Sequence, residues 1–154
     1  MTTFWRISEY ADLSGEGGRL GAGRWHTQGR PVVYLTESTA SAMLERLVHL
    51  LNDEDGELPA FYQLLEVSAP DEIEIRRLNT LAPTDWRESL AISQHQGNTW
   101  LASRESALAL VPSAIVPHTW NYLLNPLHPE AAQIAIQSAT RERFDNRLFR
   151  FGTR

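Results

Sequence analysis

Which side chains of this chain could do chemistry is decided first by what is missing. There is no cysteine, which removes disulfide frameworks, thiolate zinc sites and cysteine nucleophiles together. His26, His49, His95, His118 and His128 remain as possible metal ligands. No two of them stand in the His-x-x-x-His spacing by which a helix offers two imidazoles to one ion, so no zinc centre is expected. Glycines crowd the stretch from Ser14 to Gly29, which invites a phosphate-cradling loop, but the windows fail. Gly15-x-Gly17 is followed by Leu20 and Gly21-x-Gly23 by His26 where a third glycine is needed, and no Lys-Ser/Thr follows. Ser113 has no His/Asp partner signalled and is not read as a nucleophile.

Taken singly, the charged and polar candidates have ordinary explanations. Glu45 on a helix reads as a solvated residue, Arg24 beside Trp25 as a cation resting on an aromatic face, and Arg6 as an exposed strand position. Tyr34 suits a strand and Ser113, after Pro112, a turn.

The elements that would position them follow from periodicity and punctuation. Thr3 to Ser8 reads as a short strand, Ser14 to Gly29 as an irregular glycine loop, and Arg30 to Thr36 as a second strand. A helix follows, with Ser38 and Thr39 as N-cap candidates and Ala40, Met43, Leu44, Leu47, Val48 and Leu51 at helical spacing. It stops at Asn52-Asp-Glu-Asp-Gly56, read as a solvated terminus. Phe61 to Ala69 and Glu72 to Leu78 read as strands. Trp86 to Ser103 reads as a broken helix, because Leu90, Ile92, Trp100 and Leu101 keep no single period. Ala107 to Val116 reads as a buried strand interrupted at Pro112 by an edge or bulge. Ile134 to Ser138 and Arg143 to Phe149 read as extended, and Asn121, Asn125 and His128 as residues that fix turns. Strands outnumber helices without a β-α-β rhythm, so a mixed α+β class is expected, not a parallel nucleotide-binding sheet.

A chain of 154 residues with 42% apolar content suits a single domain over its whole length. No apolar run approaches the roughly 18 residues that cross a bilayer, and no signal-peptide layout opens the chain. A soluble, cytoplasmic protein is expected. The net charge of -5 weighs against direct nucleic-acid binding, and no helix-turn-helix is visible.

Read jointly, the candidates form an ordered pattern. Gly21-Ala-Gly-Arg24-Trp25-His26, then Val33-Tyr34-Leu35, then Ser38 to Ala42 and Glu45 resemble the RES domain, a family named for an arginine, a glutamate and a serine. His26 stands where that family commonly has asparagine. The resemblance continues through Gly97-Asn-Thr-Trp100, Val111-Pro-Ser113-Ala, Asn121-Tyr-Leu-Leu-Asn125-Pro-Leu-His128-Pro and Phe144-Asp-Asn-Arg147-Leu, with Arg6 on the opening strand.

The resemblance implies an ADP-ribosyltransferase-like fold with a split, twisted sheet and flanking helices. It also implies a toxin that cleaves the nicotinamide–ribose bond of NAD⁺, with NAD⁺ as substrate and no prosthetic group. The family's members consume NAD⁺ by hydrolysis, phosphorolysis or ADP-ribosyl transfer, and the acceptor stays open here. The expected partner is an Xre-type helix-turn-helix antitoxin, with a homodimer as a further possibility; a non-catalytic binding module is the rival reading. Glu45, Arg24, Tyr34 and Ser113 inherit catalytic candidacy, and Arg6, Arg24, Tyr34, Trp25 and His26 candidacy for binding NAD⁺. A carboxylate suits the positive charge that develops on the ribose, and arginines suit the pyrophosphate, undivided between Arg6 and Arg24. The Tyr34 ring could stack on nicotinamide, leaving its hydroxyl for the substrate. Ser113 would orient the substrate or Glu45.

Overall fold

The computed structural model describes residues 1–53, 56–78 and 86–152; Glu54 and Asp55, in the acidic run after the first long helix, lie outside them. Among the described residues the order is β1 (Thr2–Ile7), α1 (Glu16–Leu20), β2 (Val33–Thr36), α2 (Thr39–Asn52), β3 (Phe61–Ala69), β4 (Ile75–Arg77), α3 (Leu90–Ser103), β5 (Leu108–Pro112), β6 (Trp120–Leu124) and β7 (Ala135–Arg143). Short 3-10 turns lie at Trp86–Glu88, Pro129–Gln133 and Asn146–Gly152.

The strands form one sheet in the order β4-β5-β6-β2-β1-β3-β7. β4 and β5 run parallel, and the other neighbours antiparallel. The architecture is therefore α+β, as expected. β1 pairs with β3 from Thr2↔Ala69 to Ile7↔Leu64, and β2 with β6 from Val33↔Leu124 to Thr36↔Asn121. Between β1 and β2, however, the register consists of Trp5↔Thr36 alone. Two ladders are thus joined at one point, where the Thr36 hydroxyl lies 3.1 Å from Trp5 O and 2.8 Å from Ser38 O. The same side chain ties the junction to the start of α2.

Side chains alternate across a strand, and here both faces are buried. Phe4, Val33, Leu35, Leu65, Val67, Leu108 and Leu124 belong to one core cluster. Val32, Ala109, Val111 and Leu123 meet Trp25, Trp86, Trp100 and Leu101 in the other, with Tyr34 packed against it. Tyr34, Thr36 and Asn121 share the parity of this second face, where the candidate residues gather.

Several expected boundaries change for physical reasons. The glycine loop contains α1, entered through Gly15 at φ 76, a left-handed conformation that glycine adopts without a Cβ penalty. The Trp86 to Ser103 segment is a 3-10 turn followed by an unbroken α3. Its buried positions are Ser93, Gly97, Trp100 and Leu101, a helical stripe half made of small residues, so the apolar pattern was thin. β5 ends at Pro112 opposite Trp120, beyond the last β4 pair at Leu110; the missing N–H therefore interrupts no ladder. β4 is shorter than expected. Arg143 to Phe149 is not extended, since β7 runs to Arg143 and a 3-10 turn begins at Asn146. β6, which was not expected, supplies the antiparallel neighbour of β2.

Candidate active site

Where β1 and β2 part, a cleft of about 1130 Å³ opens, walled by Trp5 to Tyr10, Gly17, Gly18, Gly21 to His26, Tyr34 to Thr36, one side of α2 and the β5–β6 connection. Arg6, Arg24, Trp25, His26, Tyr34 and Glu45 all line it. Ser113 stands behind the wall and reaches it through Glu45.

Glu45 lies on α2, whose start is fixed by Ser38, the side chain of which accepts from Ser41 N at 3.1 Å. Ala42, one turn before Glu45, is buried and lines the cleft. The carboxylate Oε1 accepts hydrogen bonds from Asn121 Nδ2 at 2.7 Å and from Ser113 Oγ at 3.4 Å. Ser113 Oγ itself accepts from Ile115 N and Val116 N, each at 3.1 Å. The turn role of Ser113 and its orientation of Glu45 are the same arrangement: with both lone pairs taken, its proton is left for the carboxylate.

The glycine loop is held by α3 through backbone atoms. Ser93 Oγ donates to Arg24 O at 2.6 Å, Gln94 Nε2 donates to Gly23 O at 3.0 Å, and Asn98 Oδ1 accepts from Thr27 N at 3.1 Å. A Cβ at Gly97 would overlap the Trp25 carbonyl, so glycine is what allows helix and loop to touch.

From the other side the loop is held by Tyr34 and His26. His26 Nε2 lies 2.9 Å from Gly18 O and 2.8 Å from Gly21 O. Both are acceptors, so Nε2 carries a proton. In the neutral ring Nδ1 then accepts from the Tyr34 hydroxyl at 2.7 Å, and Trp25 N donates to the same hydroxyl at 3.1 Å. Burial pushes the Tyr34 pKa well up, so it remains a donor. This corrects the expectation that its hydroxyl is left for the substrate, because its proton is committed to His26. His26 is buried, and Trp25 packs in the core 5.3 Å from the Trp86 ring.

The two arginines differ. Arg6 is half-buried, and desolvation depresses its pKa, with Asp12 opposing and Arg46 adding to the shift; its Nη1 donates weakly to Asp12 O at 3.4 Å. Arg24 Nη1 donates to Arg87 O at 2.9 Å, and its guanidinium lies 6.0 Å from the Trp86 ring centroid. Among the described residues neither is in an ion pair. Arg46, which the sequence reading did not single out, also faces the cleft and pairs with Glu9 at 3.3 Å.

Asn121 is the main site residue assigned otherwise from sequence. It makes no turn; it sits in β6 and bonds Glu45. The available signal was a polar residue inside the strand-like run Trp-Asn-Tyr-Leu-Leu. Asn125 and His128 do fix turns, accepting from Leu127 N and Glu130 N at 3.1 Å each. Among the described residues no group of three or more potential metal ligands comes together.

Residues 3–146 match the RES domain family. The chain belongs to that family. Two relatives match almost end to end: "Toxin Res" of Pseudomonas putida is 46% identical, covering 94% of this chain and 98% of its own. "Prs ADP-ribosylating toxin" of a Sphingobium species is 38% identical, covering 97% and 98%. Among solved structures, a chain of the M. tuberculosis MbcT–MbcA toxin–antitoxin complex superposes with a TM-score of 0.69 at 19% identity, covering 92% of this chain and 84% of that one. The chain thus shares the fold of that neighbour, and the fold is of the mixed α+β class expected from the sequence.

Proposed function

We propose that this RES-domain protein is the toxin of a toxin–antitoxin pair and that it consumes NAD⁺ by breaking the nicotinamide–ribose bond. The observation that carries the reading is a carboxylate, Glu45, tethered by neutral donors in the wall of a cleft that also contains a half-buried arginine, Arg6, outside any ion pair among the described residues. A cleft of about 1130 Å³ is above the roughly 300–1,000 Å³ usual for small-ligand sites and leaves room for a dinucleotide.

Heterolysis leaves neutral nicotinamide and a cationic ribose, and Glu45 stabilises that charge while it forms. No strong acid is needed for the leaving group. Arg6 and Arg24 hold the pyrophosphate by charge-assisted hydrogen bonds. The Tyr34 ring forms part of the wall against which nicotinamide packs, and its hydroxyl clamps the loop carrying Arg24. Its oxygen still has one lone pair, so toward substrate it acts as an acceptor.

Two relatives carry "toxin" in their names, and the solved neighbour is a toxin–antitoxin complex. An Xre-type antitoxin covering the cleft is the partner this reading calls for. Leu44, Val48 and Leu51 leave an exposed apolar stripe on α2 beside Glu45, suited to such a contact. No helix among the described residues is long and apolar enough to cross a membrane.

The deciding experiment measures NAD⁺ in cells after brief induction without the partner, wild type against Glu45→Ala. Rapid loss with wild type alone is expected; unchanged NAD⁺ with soluble, folded wild type overturns the reading. Product analysis of the purified enzyme then separates free ADP-ribose, its phosphate ester and labelled protein, the last being the activity named for the Sphingobium relative.

A further inference from the structure

We infer that Asn121 is the positioning residue for the Glu45 carboxylate, deciding which carboxylate oxygen meets the substrate; the inference rests on the proposed NAD⁺ reaction. Asn121 lies in β6 opposite Thr36 of β2 and Val111 of β5, on the sheet face that looks toward the cleft. Its Nδ2 is the nearer of the two donors on Oε1, at 2.7 Å against 3.4 Å for Ser113. Ser113 divides its hydrogen bonds between its own turn and Glu45. Among the described residues the Asn121 amide serves Glu45 alone, for its Oδ1 is buried with no partner there. Turning the amide over would set Oδ1 against the carboxylate, so chemistry fixes its orientation.

That orphaned acceptor is what a structural role does not explain. Asparagine is a poor strand former, this one is buried at 9% exposure, and its neighbours Trp120, Tyr122 and Leu123 show that apolar residues suit the strand. Leucine would fill the position without burying an unpaired oxygen. What asparagine adds is a donor without charge. An arginine or lysine there would tether the carboxylate and also cancel the negative charge that the cationic ribose needs; an amide tethers it and leaves that charge in place. Both donors converge on Oε1, and no hydrogen bond engages Oε2 among the described residues. Oε2 is therefore the oxygen presented to substrate.

The test compares wild type, Asn121→Leu and Asn121→Asp in steady-state kinetics with NAD⁺, alongside thermal unfolding. Asn121→Leu keeps or raises the melting temperature, while kcat falls about 100-fold, the order expected of a misplaced reacting group, and KM stays within about threefold. In Asn121→Asp the second carboxylate opposes ionisation of Glu45, so the acid limb of the kcat profile moves up by about one to two pH units. A folded Asn121→Leu with kcat within twofold of wild type, or an unmoved acid limb in Asn121→Asp, overturns the inference. If wild type consumes no NAD⁺, the proposed function is what has failed. A carbon-13 NMR comparison at one neutral pH then decides the tether by itself: the Glu45 carboxylate signal moves in Asn121→Leu if Asn121 holds the carboxylate, and an unmoved signal overturns the inference.

Discussion

Tyr34 does two kinds of work with one side chain, and they can be separated by removing a single oxygen. In Tyr34→Phe the ring stays in the cleft wall, but Trp25 N loses its acceptor and His26 Nδ1 its donor. Both are buried or nearly so, and we expect a loss of about 1–3 kcal/mol in denaturant unfolding, with weakened NAD⁺ turnover from a loosened Arg24 loop. The hydroxyl also makes a prediction about pH. Burial raises its folded pKa above the usual tyrosine value near 10, so above that pH the unfolded chain gives up a proton that the folded chain retains. The stability Tyr34 contributes is full below about pH 10 and is lost as pH rises toward its folded pKa. Unfolding measured from pH 9 to 11.5 will show this alkaline slope, and Tyr34→Phe will flatten it. Tyr122, also raised by burial, supplies the remaining slope in both proteins.

At the scale of the element, α3 makes the sharpest case. Its working face is Ser93, Gln94, Gly97 and Asn98, and what it binds is mostly backbone, with Asn98 Nδ2 also donating to the Thr27 hydroxyl at 3.0 Å. Gly97→Ala forces α3 away from the Trp25 carbonyl, at a cost of about 1–3 kcal/mol or more, and should raise KM for NAD⁺ by shifting Arg24. A variant with wild-type stability and KM would show that the contact does not position the loop. The same face explains why α3 was hard to read: a helix that holds a loop by hydroxyl, amide and glycine leaves little apolar period. Where an element buries aliphatic side chains, the sequence sufficed. The α2 stripe and its Ser38 cap, β1, and the full span of β3 all emerged from spacing and turn signals. Glu45, Arg6 and Arg24 stood out as a joint pattern, although each alone looked ordinary. Asn121 was misassigned because its meaning depends on a residue 76 positions away, and the engagement of the Tyr34 hydroxyl depends on how the glycine loop folds back.

At the scale of the molecule, the site exists because the sheet is joined at a single residue pair. The edges of β1 and β2 beyond Trp5 and Thr36 face the cleft, so ligand binding should slow amide exchange on both sides of the gap. In hydrogen-exchange measurements on Glu45→Gln with NAD⁺, protection is expected at Arg6 to Ser8 and at Gly21 to Trp25, with β7 unchanged. Protection confined to the outer edge at β7 would place the ligand elsewhere.

The strand order also sets a timetable. By residue 52 a growing chain already contains Arg6, Arg24, Tyr34 and Glu45, but β2, joined to β1 at one pair, gains its four-pair antiparallel ladder only when Trp120–Leu124 arrives, and that same strand brings Asn121. Domains fold as units during synthesis, and the newest residues are still inside the ribosome when they are made. Translation must therefore run past residue 124 before the cleft can close around its charged groups, and a nascent chain halted earlier carries those groups without the scaffold that arms them.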